Sequence, residues 1–128
     1  MAYYNEIMIA TTKEDYKKIE EVQKKIPENF LFEDAYIYDY KENDLDCIFI
    51  KIDHVRYDIK FEEVEKLEKS LNELENGYVF CRLGEDSGDI EFRNRTKLSE
   101  LMIEFEFIKK LSESLNRELK VDEEEEFE

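Results

Sequence analysis

The alternation of apolar and polar positions divides the chain into strand-like and helix-like segments. Residues 4–10 form a short apolar run typical of a largely buried strand. Residues 34–41 and 47–53 alternate with a period of two, and the turn-rich "ENDLD" between them predicts a hairpin. Two further strands are predicted at 78–83 and 89–94.

Apolar residues recur at helical spacing in three other segments. Thr12, with an aspartate three residues later, predicts the start of a helix that closes at Pro27. A second helix is predicted over 60–75, followed by Gly77 as a left-handed stop, and a third begins at Thr96. The positions expected to be buried are Tyr16, Ile19, Gln23 and Ile26 on the first, Phe61, Val64, Leu67, Leu71 and Leu74 on the second, and Leu98, Leu101, Met102, Phe105, Ile108, Leu115 and Leu119 on the third.

This order of elements predicts an α+β fold. The first six elements match the ferredoxin-like βαββαβ arrangement, an antiparallel sheet with two helices on one face, to which a strand and a long C-terminal helix are added. We expect one α+β domain over residues 1–120 and a flexible acidic tail over 121–128, which is too polar to pack. Beneath the two helices we expect Ile48, Ile50, Ile52, Val79, Cys81 and Leu83, and on the opposite face Tyr36, Tyr38, Tyr40, Phe49, Tyr78 and Phe80.

The predicted aromatic face has two interpretations. Either the third helix crosses the face and buries the rings, or the rings stack nucleic-acid bases as in RNA-recognition domains. The basic and aromatic signature of those domains is absent, and Asp39, Glu42 and Asp53 lie nearby. The covered face is therefore favoured.

Charge restricts the class of partner. The chain has 128 residues, with 35 acidic and 19 basic side chains and a net charge of −16. Such a field disfavours direct binding to nucleic acid or to an anionic membrane and attracts basic protein surfaces. The chain has neither a long apolar run nor a signal-peptide pattern, so we expect a cytoplasmic protein in which Cys47 and Cys81 are buried, reduced thiols.

The segment 83–91, "LGEDSGDIE", concentrates carboxylates and is the main candidate site. Asp, Ser and Gly are residues that hairpin turns require, so a structural turn is one interpretation. The segment lacks the spacing of ligand residues that an EF-hand requires, whereas Asp86, Asp89 and Glu91 would suit magnesium. A third interpretation makes Glu85, Asp86, Asp89 and Glu91 part of a partner-binding surface.

Other candidate chemistry is sparse. His54 is the only histidine, which excludes a multi-histidine metal site and favours a structural, hydrogen-bonded role. The chain has none of the common phosphate-binding or nucleophile motifs. We therefore expect no catalytic residues, no cofactor and no bound metal.

Two apolar residues of the third helix, Ile103 and Phe107, lie off its main stripe. They indicate either a dimer contact or partner groove, or a contact with the connection from Tyr57 to Phe61.

Three segments carry a family resemblance: "MAYYNEIMIATTKEDYKKI", "IFIKIDHVRYDIKFEEVEKLEKSLNEL" and "GYVFCRLGEDSGDIE". Together they resemble a group of small acidic proteins encoded by phages and prophages of gut bacteria and Firmicutes, over roughly residues 1–92. The family's aromatic segment appears here as "DHVRYD", without tryptophan. The family has no assigned activity, so the resemblance implies no residue roles. It implies only a biological context, in which the protein binds and inhibits a host protein.

These observations favour a non-enzymatic interaction protein. In the most specific version of this hypothesis, the protein mimics nucleic acid and occupies the basic groove of a nuclease, a restriction enzyme or a CRISPR-type defence factor. Its carboxylates would come from the 83–91 segment and from the tail, Asp122 to Glu126, with Ile103 and Phe107 as the apolar anchor. The alternatives are a structural or regulatory homodimer of phage physiology and a divalent-metal-dependent enzyme centred on the turn.

Overall fold

A five-stranded antiparallel sheet and three helices make up the part of the chain that the computed structural model describes, residues 3–42, 44–86 and 88–97. The elements in chain order are β1 (Asn5–Thr12), α1 (Lys13–Gln23), α2 (Phe30–Glu33), β2 (Tyr36–Glu42), β3 (Leu45–Val55), α3 (Glu62–Asn72), β4 (Val79–Leu83) and β5 (Ile90–Asn94). The strands lie in the order β2-β3-β1-β4-β5, and every neighbouring pair is antiparallel. The predicted α+β class and the hairpin of β2 and β3 are confirmed. The predicted long C-terminal helix and acidic tail lie outside the described residues.

Helix α1 begins where the sequence predicts. The Thr12 hydroxyl accepts a hydrogen bond from the Asp15 backbone N–H at 3.1 Å, which satisfies one of the free donors of the first turn. Ile19 and Gln23 are buried as expected, although the helix ends at Gln23 instead of reaching Pro27. The fully buried Asp15 carboxylate accepts from the Asn76 backbone N–H at 2.8 Å, so the start of α1 is tied to the segment that follows α3.

The short helix α2 is absent from the sequence-based prediction. Its cap is Asn29, whose side-chain oxygen accepts from the backbone N–H groups of Leu31 and Phe32 at 3.0 and 3.1 Å. Four residues complete little more than one turn, so no 3.6-residue apolar repeat reveals the helix. Its effect is to place Leu31 in the core with no exposed surface.

The main core lies between the sheet and the helices. Strand residues opposite each other on neighbouring strands share a face, and Ile9 pairs with Ile50 on β3 and with Phe80 on β4. The buried members of this core are Ile7, Ile9, Ile19, Leu31, Ile48, Ile50, Ile52, Val55, Val64, Leu67, Leu71, Leu74, Tyr78 and Phe80.

The predicted facing of β4 is wrong. Phe80 and Tyr78 pack beneath the helices, whereas Val79, Cys81 and Leu83 belong to the opposite face. Both sets are apolar, so a period of two cannot choose between them. The choice follows from the register, because Phe80 lies opposite Ile9, which faces the helices.

The opposite face of the sheet carries a second apolar cluster. Its buried members are Met8, Ala10, Cys47, Phe49, Val79, Cys81 and Leu83, with Tyr40 and Leu45 packed against them. The register places Tyr36 and Tyr38 at one edge of this face and Ile90 and Phe92 at the other, and all four are exposed. The expectation that a third helix covers this face lies outside the described residues. Both cysteines are free and buried, as predicted.

No helix within the described ranges combines the length and apolarity needed to span a membrane.

Candidate functional site

The candidate site lies at the end of the sheet where β1 begins and β3 and β4 end. Asn5 pairs with Val55 at the end of β3, and Glu6 pairs with Leu83 at the end of β4. The acidic turn, defined here as residues 84–89, therefore emerges beside the N-terminal segment that contains Tyr3 and Tyr4.

Hydrogen bonds hold the acidic turn against the N-terminal segment. The Tyr3 hydroxyl donates to the Asp89 carboxylate at 2.7 Å and accepts from the Asp86 backbone N–H at 3.2 Å. The Tyr4 backbone N–H donates to the Glu85 carboxylate at 2.6 Å. Within the turn, the Gly84 N–H donates to the Asp89 carbonyl at 2.8 Å. The turn is thus anchored at both of its ends.

Two arginines compensate the carboxylates at the base of this turn. Arg82 on β4 lies 2.9 Å from Asp89 and 3.2 Å from Glu91. Arg93 on β5 lies 3.1 Å from Glu91 and 2.8 Å from Glu68 on α3. Of the four predicted site carboxylates, Asp89 and Glu91 are therefore ion-paired within the chain, while Glu85 and Asp86 belong to exposed residues of the turn.

The two glycines of the turn have different roles. A Cβ atom at Gly84 would collide with the Asp89 carboxylate and the Tyr3 hydroxyl, so glycine is needed there for their close approach. A Cβ atom at Gly88 would meet nothing. Of the two glycines, Gly84 is therefore the one that supports the interpretation of the segment as a structural turn.

Hydrogen bonding by Arg82, and then by Tyr3, lowers the pKa of Asp89 to about 2. In the unfolded chain the pKa of an aspartate is about 3.9, so the unfolded state binds the proton more readily. The stability contributed by the ionised Asp89 is therefore fully present above pH ~4 and is lost as the pH falls toward 2. We expect the stability of an Asp89→Asn variant to fall less steeply between pH 4 and 2 than that of the wild type.

Urea unfolding of both proteins at several pH values, with an NMR titration of the Asp89 carboxyl group, would test this expectation. A titration midpoint near pH 4 for the Asp89 carboxyl group would contradict the expectation.

The predicted site residues separate into two groups. Glu85, Asp86, Asp89 and Glu91 come together as the sequence indicated, but they do so around Arg82 and Arg93, which the sequence analysis did not assign to the site. Ile103, Phe107 and the tail lie outside the described residues. Within the described ranges, no group of three or more potential metal ligands is close enough to hold an ion.

Next to the acidic turn, β3 contains a bulge at Asp53 and His54. Asn5 faces Val55 while Ile7 faces Ile52, so two residues of β3 lie opposite Glu6 alone. His54 adopts a left-handed backbone with φ of 54°, a conformation that costs a non-glycine residue ~1–2 kcal/mol. The bulge stacks the His54 ring on Tyr4, with 3.9 Å between the ring centres and 14° between the planes.

A cavity of about 310 Å³ opens beside this bulge. This volume is at the small end of the range for ligand pockets, about 300–1,000 Å³. Its lining combines aromatic, aliphatic and charged side chains: Tyr4, Phe30, Leu31, Asp34, Ile52, Asp53, His54, Val55, Arg56 and Phe61. It joins α2, the end of β3 and the residue before α3, so segments distant in sequence form it.

No sequence pattern predicts this cavity. The sequence favours a structural role for His54 and does not group it with Tyr4, Phe30 or Phe61. The "IDHVRYD" segment gives one available signal, because two consecutive polar residues, Asp53 and His54, interrupt the alternation of β3.

Searches against known protein families, curated proteins and solved structures found no match for this chain. The resemblance to phage-encoded proteins therefore stays a prediction.

Proposed function

We propose that this protein is a non-enzymatic interaction protein that binds a basic protein surface and inhibits the protein that carries it. The observation that carries the proposal is the anchored acidic turn, in which Glu85 and Asp86 are exposed. The Asp86 backbone N–H donates to the Tyr3 hydroxyl, and the Glu85 carboxylate is oriented by the Tyr4 backbone N–H. Fixing charged groups before binding lowers the entropy lost on association. A net charge of −16 adds long-range attraction toward a basic partner.

The ion pairs at the base of the turn support this proposal. Arg82 and Arg93 hold Asp89 and Glu91 in place, so two basic groups accompany four carboxylates between positions 82 and 93. The surplus of negative charge sits at the tip of the turn. Fixed carboxylates of this kind would imitate nucleic-acid phosphates in the groove of a nuclease, restriction enzyme or CRISPR-type factor.

The finer fold assignment and the biological context are part of the same proposal. We assign the β2-β3-β1-β4 portion of the sheet, with α1 and α3, to the ferredoxin-like class, since βαββαβ connectivity leads to this strand order. A phage or prophage origin and a bacterial cytoplasmic location follow from the sequence resemblance.

Exchanging charge at the tip of the turn would test the proposal. We expect a Glu85→Gln, Asp86→Lys double variant to lose a partner that the wild type captures from bacterial lysate. The same partner should leave the wild type when salt rises from about 0.1 to 1 M, because the Debye length shrinks from about 10 to 3 Å. Affinity capture with mass spectrometry, after circular dichroism shows that the variant is folded, would measure both effects.

The matched control is Glu73→Gln, Glu75→Lys, which makes the same change in net charge at exposed residues beyond α3. This control should keep the partner. If both double variants lose it equally, net charge alone explains the binding and the turn has no special role. A wild-type protein that captures no salt-sensitive partner would overturn the proposal as a whole.

A further inference from the structure

We propose that the cavity beside the β3 bulge receives the guanidinium group of an arginine side chain, at a place where the aromatic rings of Tyr4, Phe30 and Phe61 meet the carboxylates of Asp34 and Asp53. The inference rests on the proposed function for the source of that arginine, the basic partner. The cavity itself is a separate site from the acidic turn.

The aromatic lining suits a planar cation. Tyr4 and His54 form one stacked pair, and Phe30 and Phe61 form an edge-to-face pair with 5.2 Å between their ring centres. A guanidinium group stacks on aromatic rings and is attracted by their faces. The chain already demonstrates this contact, since the guanidinium carbon of Arg56 lies 5.3 Å from the centre of the Phe61 ring.

One carboxylate of the lining can attract a cation. The lining contains two carboxylates, Asp34 and Asp53, and one guanidinium group, Arg56. Lys51 lies 3.7 Å from Asp53, whereas Asp34 is exposed and has no salt-bridge partner among the described residues. An incoming guanidinium group can therefore pair with Asp34 without displacing a salt-bridge partner, while Arg56 and Lys60 already lie 5.3 and 6.0 Å from the centre of the Phe61 ring.

The cavity and the acidic turn are adjacent because they share Tyr4. Its backbone N–H donates to the Glu85 carboxylate in the turn, and the same residue lines the cavity. A partner surface that contacts Glu85 and Asp86 would thus bring a neighbouring basic side chain to the cavity. Arginine side chains that enter aromatic-lined pockets are typical of the residues that dominate binding energy.

Titration of the full-length protein with a blocked arginine, followed by NMR, would test the inference. The probe is N-acetyl-arginine amide, and N-acetyl-citrulline amide is its uncharged match in shape. We expect saturable shifts at His54 and Phe61 with the arginine probe, with a dissociation constant of about 1 mM. The citrulline probe should bind at least about fivefold more weakly.

Three variants distinguish binding in the cavity from nonspecific attraction of the probe to the negatively charged protein. Asp34→Asn should weaken binding of the arginine probe about threefold. Glu33→Gln, which removes the same charge one residue away and outside the cavity, should leave it unchanged. Arg56→Gln should tighten binding, because it removes a cation that already occupies the Phe61 ring.

The absence of saturable shifts would overturn the inference, and so would equal binding of the two probes or equal losses in Asp34→Asn and Glu33→Gln. These outcomes are independent of the proposed function. A salt-sensitive partner captured by a protein that ignores the arginine probe would refute the cavity alone. If the protein binds the arginine probe but captures no partner, the proposed function is refuted. A partner protein is then also excluded as the source of the arginine side chain.

Discussion

Replacing Phe80 with alanine is expected to lower the free energy of unfolding by about 3–5 kcal/mol. Phe80 has no exposed surface and belongs to the helix-facing core, where it lies opposite Ile9. The centre of the Phe80 ring lies 5.8 Å from the centre of the Tyr57 ring and 3.9 Å from the guanidinium carbon of Arg93. Removing the ring leaves a void in a position that α3 and the sheet cannot close without repacking. Urea denaturation at neutral pH would measure the loss.

Phe92→Ala is the matched control, because Phe92 lies on β5 and is 44% exposed. We expect it to cost less than half as much, since less apolar surface leaves water when this ring packs. Equal costs for the two variants would contradict the position assigned to Phe80.

Replacing Arg93 with methionine is expected to cost about 2–4 kcal/mol. Arg93 makes a two-pronged contact with Glu68, at 2.9 and 2.8 Å, and its side chain is only 18% exposed. Burial alone would raise the pKa of Glu68, but hydrogen bonds from Arg93 and Tyr57 lower it below its ordinary value. Without Arg93, the partly buried Glu68 carboxylate keeps the hydrogen bond from the Tyr57 hydroxyl, 2.6 Å away, but loses both hydrogen bonds from the guanidinium group.

The cost of the Arg93 variant should depend on pH. Because the folded-state pKa of Glu68 is lowered, the wild-type pair contributes its full stability above the unfolded pKa of about 4.3 and loses it as the pH falls further. The difference between wild type and variant should therefore be largest near pH 7 and shrink below pH ~4. Urea unfolding at both pH values would measure it.

Arg95→Met is the control for this experiment, since Arg95 is exposed two residues further along the chain. Its cost should stay within about 0.5 kcal/mol. A similar cost for the two variants would show that net charge, and not the contact with Glu68, explains the effect.

Local patterns were sufficient to predict most of the elements. The cap at Thr12 appears where the sequence placed it. The hairpin of β2 and β3 likewise follows its turn-rich connection. Each of these features depends on a few consecutive residues, so the sequence carries the information directly. Gly77 is left-handed, with φ of 82°, but α3 ends at Asn72 with Glu73 as its C-cap, so Gly77 is not the helix stop that the sequence predicted.

Features that depend on distant residues were not predicted. The four residues of α2 are too few to show a helical repeat, and the bulge at His54 exists only in relation to Glu6 on β1. The cavity could not be predicted for the same reason, because Tyr4, Phe30 and Phe61 meet only after β1 and β3 have paired.

By itself, the sequence determined the α+β class, the acidity, the buried thiols and the gathering of carboxylates in one turn. Only the tertiary structure decided which face of β4 meets the helices, because both faces of that strand are apolar and the register with β1 makes the choice. It also decided that Arg82 and Arg93 compensate Asp89 and Glu91, leaving Glu85 and Asp86 at the exposed tip. The physical reason is the same in both cases: composition counts charges and apolar groups, whereas strand pairing sets which of them lie within contact distance.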